Sequence, residues 1–312
     1  MTSDTSIELR SASASFTMRA VRWLMSKRKS VFPTDPSQVA AFLDGRNIPP
    51  DAPMPAKFEQ KYRVERWEAA GQQVVTLHPK AGPGEWHMIY FHGGGFVLPM
   101  FDVHWPLAGA MVDKCGVSIT LPLYDVAPEA SYKMQDDLAD AVFAKVAADH
   151  DPAKIILNGD SAGGHMALAL ALRLAKAGGP QPGKLALFAP WLDVTMKDEA
   201  MRAVEPHDFM LKIGALRALG EIWSGDRDAG GPECSPLYAA QEELSALPPT
   251  RIWTGRHDLF IVDSRSFTGR LREASVDAKL YEYEAAPHVF MAVLPTRESK
   301  DTLALLADFL AE

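Results

Sequence analysis

The stretch Gly159 to Gly164, GDSAGG, constrains the fold of this chain more than any other. The residues before it, KIILN at Lys154 to Asn158, read as a short buried strand, and those after it, HMALALALRLAKAG at His165 to Gly178, as a largely buried helix. Ser161 therefore sits on a strand-to-helix turn between two small residues, Gly159 and Gly163, in a G-x-S-x-G pattern. Such a turn is strained, and a side chain at either flank would collide with neighbouring chain, so glycine is required there. Glycine and serine also gather in ordinary turns, so a chemical reading of Ser161 needs partners elsewhere.

The surrounding pattern supplies a frame. FEQKYRVERWE at Phe58 to Glu68 and QQVVTL at Gln72 to Leu77 read as a half-exposed strand pair at a sheet edge. Six further strands follow at His87 to His92, Gly116 to Tyr124, Lys154 to Asn158, Lys184 to Pro190, Thr250 to Gly255 and Ala278 to Glu284. Helical patterns lie between them near 102–114, 133–149, 162–177, 264–274 and 298–311. Short apolar strands alternating with helices imply an α/β fold with a mainly parallel, eight-stranded sheet covered on both faces. About sixty residues separate the strand ending near Pro190 from the one starting at Thr250, too long for a structureless loop. With a helix expected over Phe209 to Trp223, that insertion reads as ordered and lying over the carboxyl ends of the strands. The division expected is an N-terminal helical cap segment over residues 1–50 and a catalytic domain over 51–312, with 195–240 as a cap insertion.

Bulk properties exclude several classes. A chain of 312 residues with 47% hydrophobic and 23% charged residues has the makeup of a globular protein. Its formal net charge of -8 argues against nonspecific nucleic-acid binding. Cys115 and Cys234 are too few for a disulfide framework and lack metal-ligand spacing, which suits a reducing, cytoplasmic setting. The N-terminus has no secretory-signal pattern, and no long uncharged apolar run could span a membrane. FTMRAVRWLMSKR, Phe16 to Arg28, puts Met18, Val21, Leu24 and Met25 at helical spacing among basic residues. That pattern suits a membrane surface; the reading adopted is a helix whose apolar face packs on the body of the protein.

A second chemical signal is FHGGGF, Phe91 to Phe96, directly after a strand. Three successive glycines cost backbone entropy, which is understandable if the loop must expose its amides to a ligand. Acyl transfer needs such amides for a tetrahedral oxyanion, here from Gly94 and Gly95 with Ala162 after the nucleophile. The rival, a phosphate-binding loop, lacks both the Gly-Lys-Ser/Thr ending and a G-x-G-x-x-G match. Serine also needs a base, and in this arrangement an acid and then a histidine follow it in the chain. Asp258 stands just beyond one strand and His288 just beyond the last, where catalytic loops of an open parallel sheet gather. His257 adjoins the acid too closely to reach back, and Asp263 is explained by capping of the next helix.

The ordered segments HGGGF, YDVAPE at Tyr124 to Glu129, GDSAGG, PWLDVT at Pro190 to Thr195, SPLYA at Ser235 to Ala239, GRHD and PHVF resemble the hormone-sensitive-lipase-like family of α/β-hydrolase esterases over some two-thirds of the chain. The resemblance implies an α/β-hydrolase fold with a helical cap, Ser161 as nucleophile, His288 as base, Asp258 as acid and Gly94, Gly95 and Ala162 as the oxyanion hole. It also implies a serine carboxylesterase acting on short to medium acyl esters. Two positions depart from the family pattern: Asp125 stands where a basic residue is common, and Pro99 where glycine is frequent. Candidate pocket residues near the expected loops and cap are Phe96, Val97, Trp191, Phe209, Met210 and Phe290. The chemistry calls for no cofactor and no metal, and its partner is a small-molecule ester. Serine-dependent acyl transfer to an alcohol and hydrolysis of amides, carbamates or lactones share the same opening step. A homodimer is expected through the apolar LALLADFL at Leu303 to Leu310.

Overall fold

The structure is a computed structural model that describes residues 6–11, 13–27, 30–45, 51–82 and 84–312. The expected boundary of the N-terminal segment at residue 50 lies outside the described residues. Among the described residues nine strands, one more than expected, form a single sheet: β1 (Ile7–Ser11), β2 (Tyr62–Ala69), β3 (Gln72–Pro79), β4 (His87–Phe91), β5 (Ser118–Pro122), β6 (Ile155–Asp160), β7 (Lys184–Phe188), β8 (Thr250–Gly255) and β9 (Ala278–Tyr283). Their spatial order is β1-β9-β8-β7-β6-β4-β5-β3-β2. β3 runs antiparallel to β2 and β5, and every other pairing is parallel.

Both faces of the central strands are apolar, as a sheet covered by helices on each side requires. Along β4, Ile89 and Phe91 enter one buried cluster while Met88 and Tyr90 enter the other. β7 divides in the same way, Leu185 and Leu187 to one face, Ala186 and Phe188 to the other. The helices Tyr132–Asp149, Ala162–Lys176 and Ile261–Glu273 cover the first face, and His104–Cys115 and Arg297–Ala311 the second. All five lie within a few residues of the expected positions.

Three expectations need correction. The segment read as helical from the start of the chain begins with β1, which pairs in parallel with β9 at the far edge. Its sequence is short and mostly polar, and its position is held by ion pairs of Arg10 with Asp301 and of Lys279 with Glu8. The strand expected from Phe58 is preceded by a helical turn, Lys57–Lys61, which tucks Phe58 against Tyr62 and Trp105. The helix Phe16–Ser26 turns Met18, Val21 and Met25 of its expected apolar face inward, but Leu24 of that face is exposed, and so are Phe16 and Trp23.

The long insertion is ordered, with helices Met201–Val204 and Ile213–Ser224. The second starts later than expected because the Asp208 carboxylate accepts from the amides of Met210 and Leu211 and holds that stretch as a turn. Residues 30–45 pack against this insertion. The Ser30 hydroxyl donates to Met210 O at 2.8 Å, and a Cβ added to Gly214 would lie 3.1 Å from Pro36.

The terminal helix turns its apolar residues inward: Leu303, Leu306, Phe309 and Leu310 are all buried. The segment expected to pair two copies is thus largely spent on the protein's own core. Leu306→Ala is therefore expected to cost about 2–5 kcal/mol in denaturant unfolding, because a fully buried methylated side chain is replaced by a cavity.

Candidate active site

The adjacency of β4 and β6 builds the centre of the site. From β4 the chain departs to β5 on one side, whereas β6 returns on the other, and an open parallel sheet offers a ligand crevice at such a switch point. Phe91 pairs with Gly159, so the glycine loop after β4 and the turn after β6 emerge side by side. A Cβ added to Gly93 would lie 3.1 Å from Ser161 Cβ.

Ser161 has φ 56° and ψ −120°, outside the regions a side chain prefers, a conformation costing roughly 1–3 kcal/mol. Surrounding backbone bonds impose it: Ser161 N donates to Phe188 O at 2.9 Å, and Ser161 O accepts from Trp191 N and His165 N, each at 3.1 Å. The flanking glycines are needed for space. A Cβ on Gly159 would lie 2.3 Å from Gly163 C, and one on Gly163 would lie 2.0 Å from Phe91 O.

The residue before the serine, unassigned by sequence reasoning, ties these two loops together. Asp160 is buried, and its Oδ1 accepts from the Tyr90 hydroxyl and from Gly93 N at 3.0 Å. His104 Nε2 lies 3.6 Å from Oδ2, and its Nδ1 accepts from Phe101 N at 2.9 Å, so Nε2 carries the proton. Burial alone would raise the Asp160 carboxyl, but His104 and Tyr90 hold it below the usual carboxylate range. His92 donates from Nδ1 to Gly93 O at 2.7 Å and stacks on Tyr124, whose hydroxyl donates to His92 O at 2.8 Å. Burial lowers its pKa to about 3, which keeps the ring neutral and fits a residue that holds the loop. Beyond Gly93 the loop turns with Gly94 at φ 138° and Gly95 at φ 61°, and the described residues offer no acceptor to the amides of Gly94, Gly95 or Ala162. Phe32 lies over the loop: a Cβ on Gly95 would meet its ring at 3.0 Å.

Asp258 and His288 meet beyond the ends of β8 and β9. His288 Nδ1 lies 2.8 Å from Asp258 Oδ2, while Asp258 Oδ1 accepts from Phe260 N at 3.0 Å. With Nδ1–H directed at a buried carboxylate, Nε2 is the nitrogen left to accept a proton. Burial would lower the His288 pKa, but the Asp258 charge and hydrogen bond outweigh it and raise the pKa. A run of rings joins this pair to the serine turn: Trp191, whose N–H donates to Ser161 O, stacks on Phe260 at 5.9 Å, and Phe260 meets His288 edge-on at 5.1 Å.

The competitors lie elsewhere. His257 stacks on His207 at 4.9 Å, and burial with the Arg22 charge lowers its pKa to about 4. Asp263 is no exposed cap, contrary to expectation. It is fully buried, and burial together with Asp193 pushes its carboxyl well above the usual range. Its helix buries that first turn on the core side, which spacing alone does not reveal. Sequence reasoning also passed over Asp208 of the insertion, whose Oδ2 accepts from Leu259 N at 3.0 Å beside the acid. Burial and the Asp258 charge raise its pKa to about 6.

Of the expected pocket residues, Phe96, Val97, Trp191 and Phe290 expose nothing. Phe96 stacks on Trp223 at 3.9 Å and on Trp191 at 5.4 Å, and Phe290 packs on Tyr283, so they form packed wall rather than lining. Phe209 and Met210 are half-buried, with Arg22 over the Phe209 ring. A cavity of about 540 Å³ lined by Tyr132, Asp136, Arg173 and Arg227 includes none of the residues around Ser161. Among the described residues, no group of three His, Cys, Asp or Glu side chains converges as a metal site would require.

Comparison with known proteins identifies the family of the fold. Residues 88–292 match the family described as alpha/beta hydrolase fold. An esterase of Acinetobacter venetianus is 32% identical over 227 residues, which cover 71% of this chain and 73% of that protein. The carboxylesterase/phospholipase LipF of Mycobacterium tuberculosis is 28% identical over 78% of this chain and 67% of its own. A crystal structure of an esterase from the bacterial hormone-sensitive lipase family superposes with a TM-score of 0.79 at 24% identity, covering 96% of this chain and 98% of that one. The chain belongs to the alpha/beta hydrolase fold family.

Proposed function

We propose that Ser161, His288 and Asp258 carry acyl transfer in this carboxylesterase, with Gly94, Gly95 and Ala162 as the oxyanion donors and short to medium acyl esters as substrates. The observation that carries the reading is the buried Asp258–His288 hydrogen bond at 2.8 Å, set at the same sheet edge as a serine on a strained turn. His288 Nε2 takes the proton as Ser161 Oγ attacks the ester carbonyl, and Asp258 holds the ring tautomer and stabilises its cation. The oxyanion meets amides that no protein acceptor occupies among the described residues. Collapse expels the alcohol with the proton from His288, and a water activated by the same nitrogen then releases the acid.

The insertion around 195–240 and the N-terminal segment together act as the cap over this site. Supporting that role are the contact of Phe32 with the oxyanion loop, the Ser30–Met210 hydrogen bond and the carboxylate of Asp208 on Leu259 N. No helix of the described residues is long and apolar enough to cross a membrane, and the acidic net charge suits a small-molecule partner rather than nucleic acid.

Two outcomes test the mechanism. Ser161→Ala should lower kcat on p-nitrophenyl esters by on the order of 10⁴-fold or more with an unchanged thermal melt, since without a nucleophile only the residual catalysis of the oxyanion donors and binding remains. Retained turnover in that variant would reassign the nucleophile. The pH profile follows from the base. Because the Asp258 carboxylate raises the His288 pKa, the neutral base forms only above the ordinary histidine value near 6.5, and kcat/KM should climb with pH through an inflection above it. In Asp258→Asn the largest contribution opposing burial is lost and only the weaker ones of Asp208 and Asp160 remain, so the inflection moves down while the rate falls; an inflection that stays put would remove Asp258 from the pair.

A further inference from the structure

We propose that the helix Phe16–Ser26 is an interfacial helix that docks this protein on an anionic lipid surface. The helix is apolar on two opposite sides. Inward lie Met18, fully buried, and Val21 and Met25, half-buried. Outward lie Phe16, 83% exposed, and Trp23, 66% exposed, with Ala20 between them and Leu24, 48% exposed, at one border. At about 100° per residue, Phe16, Ala20, Trp23 and Lys27 fall within an arc of about 60°. Core packing explains the inner side only.

Charge identifies the occupant. Between Glu8 and Asp35 the sequence has no acidic residue but carries Arg10, Arg19, Arg22, Lys27, Arg28 and Lys29, in a chain whose net charge is -8. Arg10 is engaged with Glu8 and Asp301, and Arg22 turns inward over Phe209. Arg19 and Lys27 border the exposed apolar residues. Two copies pairing through this stripe would set the same cations against each other, whereas anionic headgroups neutralise them and accept the Trp and Phe rings beneath. The helix is fixed at its start, where Glu298 accepts from Ser15 N and Oγ at 2.6 and 2.7 Å. In the segment that follows in sequence, Ser30 is tied to Met210 and Phe32 lies on Gly95, over the oxyanion glycines. Esters held in a lipid surface would thereby be presented next to the site.

The test is co-sedimentation of the full chain with vesicles of phosphatidylcholine alone or mixed with phosphatidylglycerol, at low and high salt. Binding is expected on the mixed vesicles, weakened by salt, with a blue shift in tryptophan emission. The double variant Phe16→Ser/Trp23→Ser should reduce partitioning by on the order of tenfold or more, and Arg19→Gln/Lys27→Gln by about tenfold. Thermal melting and hydrolysis of a soluble short-chain ester should be unchanged in both, and the binding readout stands whether or not the catalytic assignments hold. Absence of binding, or equal binding by the parent and both variants, would overturn the proposal. So would a lipid-free dimer in sedimentation velocity that Phe16→Ser/Trp23→Ser dissolves, which would assign the stripe to a second copy.

Discussion

The Asp160 carboxylate is the contact on which the geometry around Ser161 depends. It is buried, and it takes a proton donor from each element it must align: Tyr90 from β4, Gly93 from the glycine loop and, at longer range, His104 from the following helix. A buried ionised carboxylate is tolerable only when such donors replace its hydration. Because Asp160 is covalently next to Ser161, those same bonds set the distance between the nucleophile turn and the loop whose amides face it. Backbone strain at φ 56° persists because the bonds to Phe188, Trp191 and His165 leave the turn no alternative.

Around this centre, charge is managed by pairing and by protonation. Asp258 has a histidine for a partner, and the two act as one hydrogen-bonded unit. Asp208, also buried and close by, has its pKa raised to about 6 by burial and the Asp258 charge, against the lowering effect of its backbone donors. Asp263 is fully buried, and burial with the Asp193 charge pushes its carboxyl well above the usual range. These buried aspartates thus differ in what each faces: a histidine at Asp258, a neighbouring carboxylate at Asp208 and Asp263. Asp208 also belongs to the insertion while its Oδ2 binds the amide after Asp258, so displacement of the insertion would be felt at the acid loop.

Much of this was legible along the chain because its signals are local. Apolar runs of strand length followed by helical spacing mark a sheet covered on both faces wherever the segment is central, and β4 through β9 are such segments. The edges were harder to read. β1 is short and polar, and its strand state comes from pairing with β9 and from ion pairs to Asp301 and Lys279, partners that lie more than 260 residues away. The turn of helix at Phe58 was hidden for a similar reason, since its helical state comes from contacts with Trp105.

The sequence by itself determined the serine turn, the glycine loop and the order in which Ser161, Asp258 and His288 follow, because each depends on spacing within a few residues of a strand end. Tertiary structure decided the rest: that Gly93 leans on Asp160, that Phe96 and Trp191 are buried wall, and that Phe16 and Trp23 face outward. Each of these depends on which strand or helix lies alongside. Strand order brings β4 beside β6 across more than sixty residues of chain, and no local spacing encodes that adjacency.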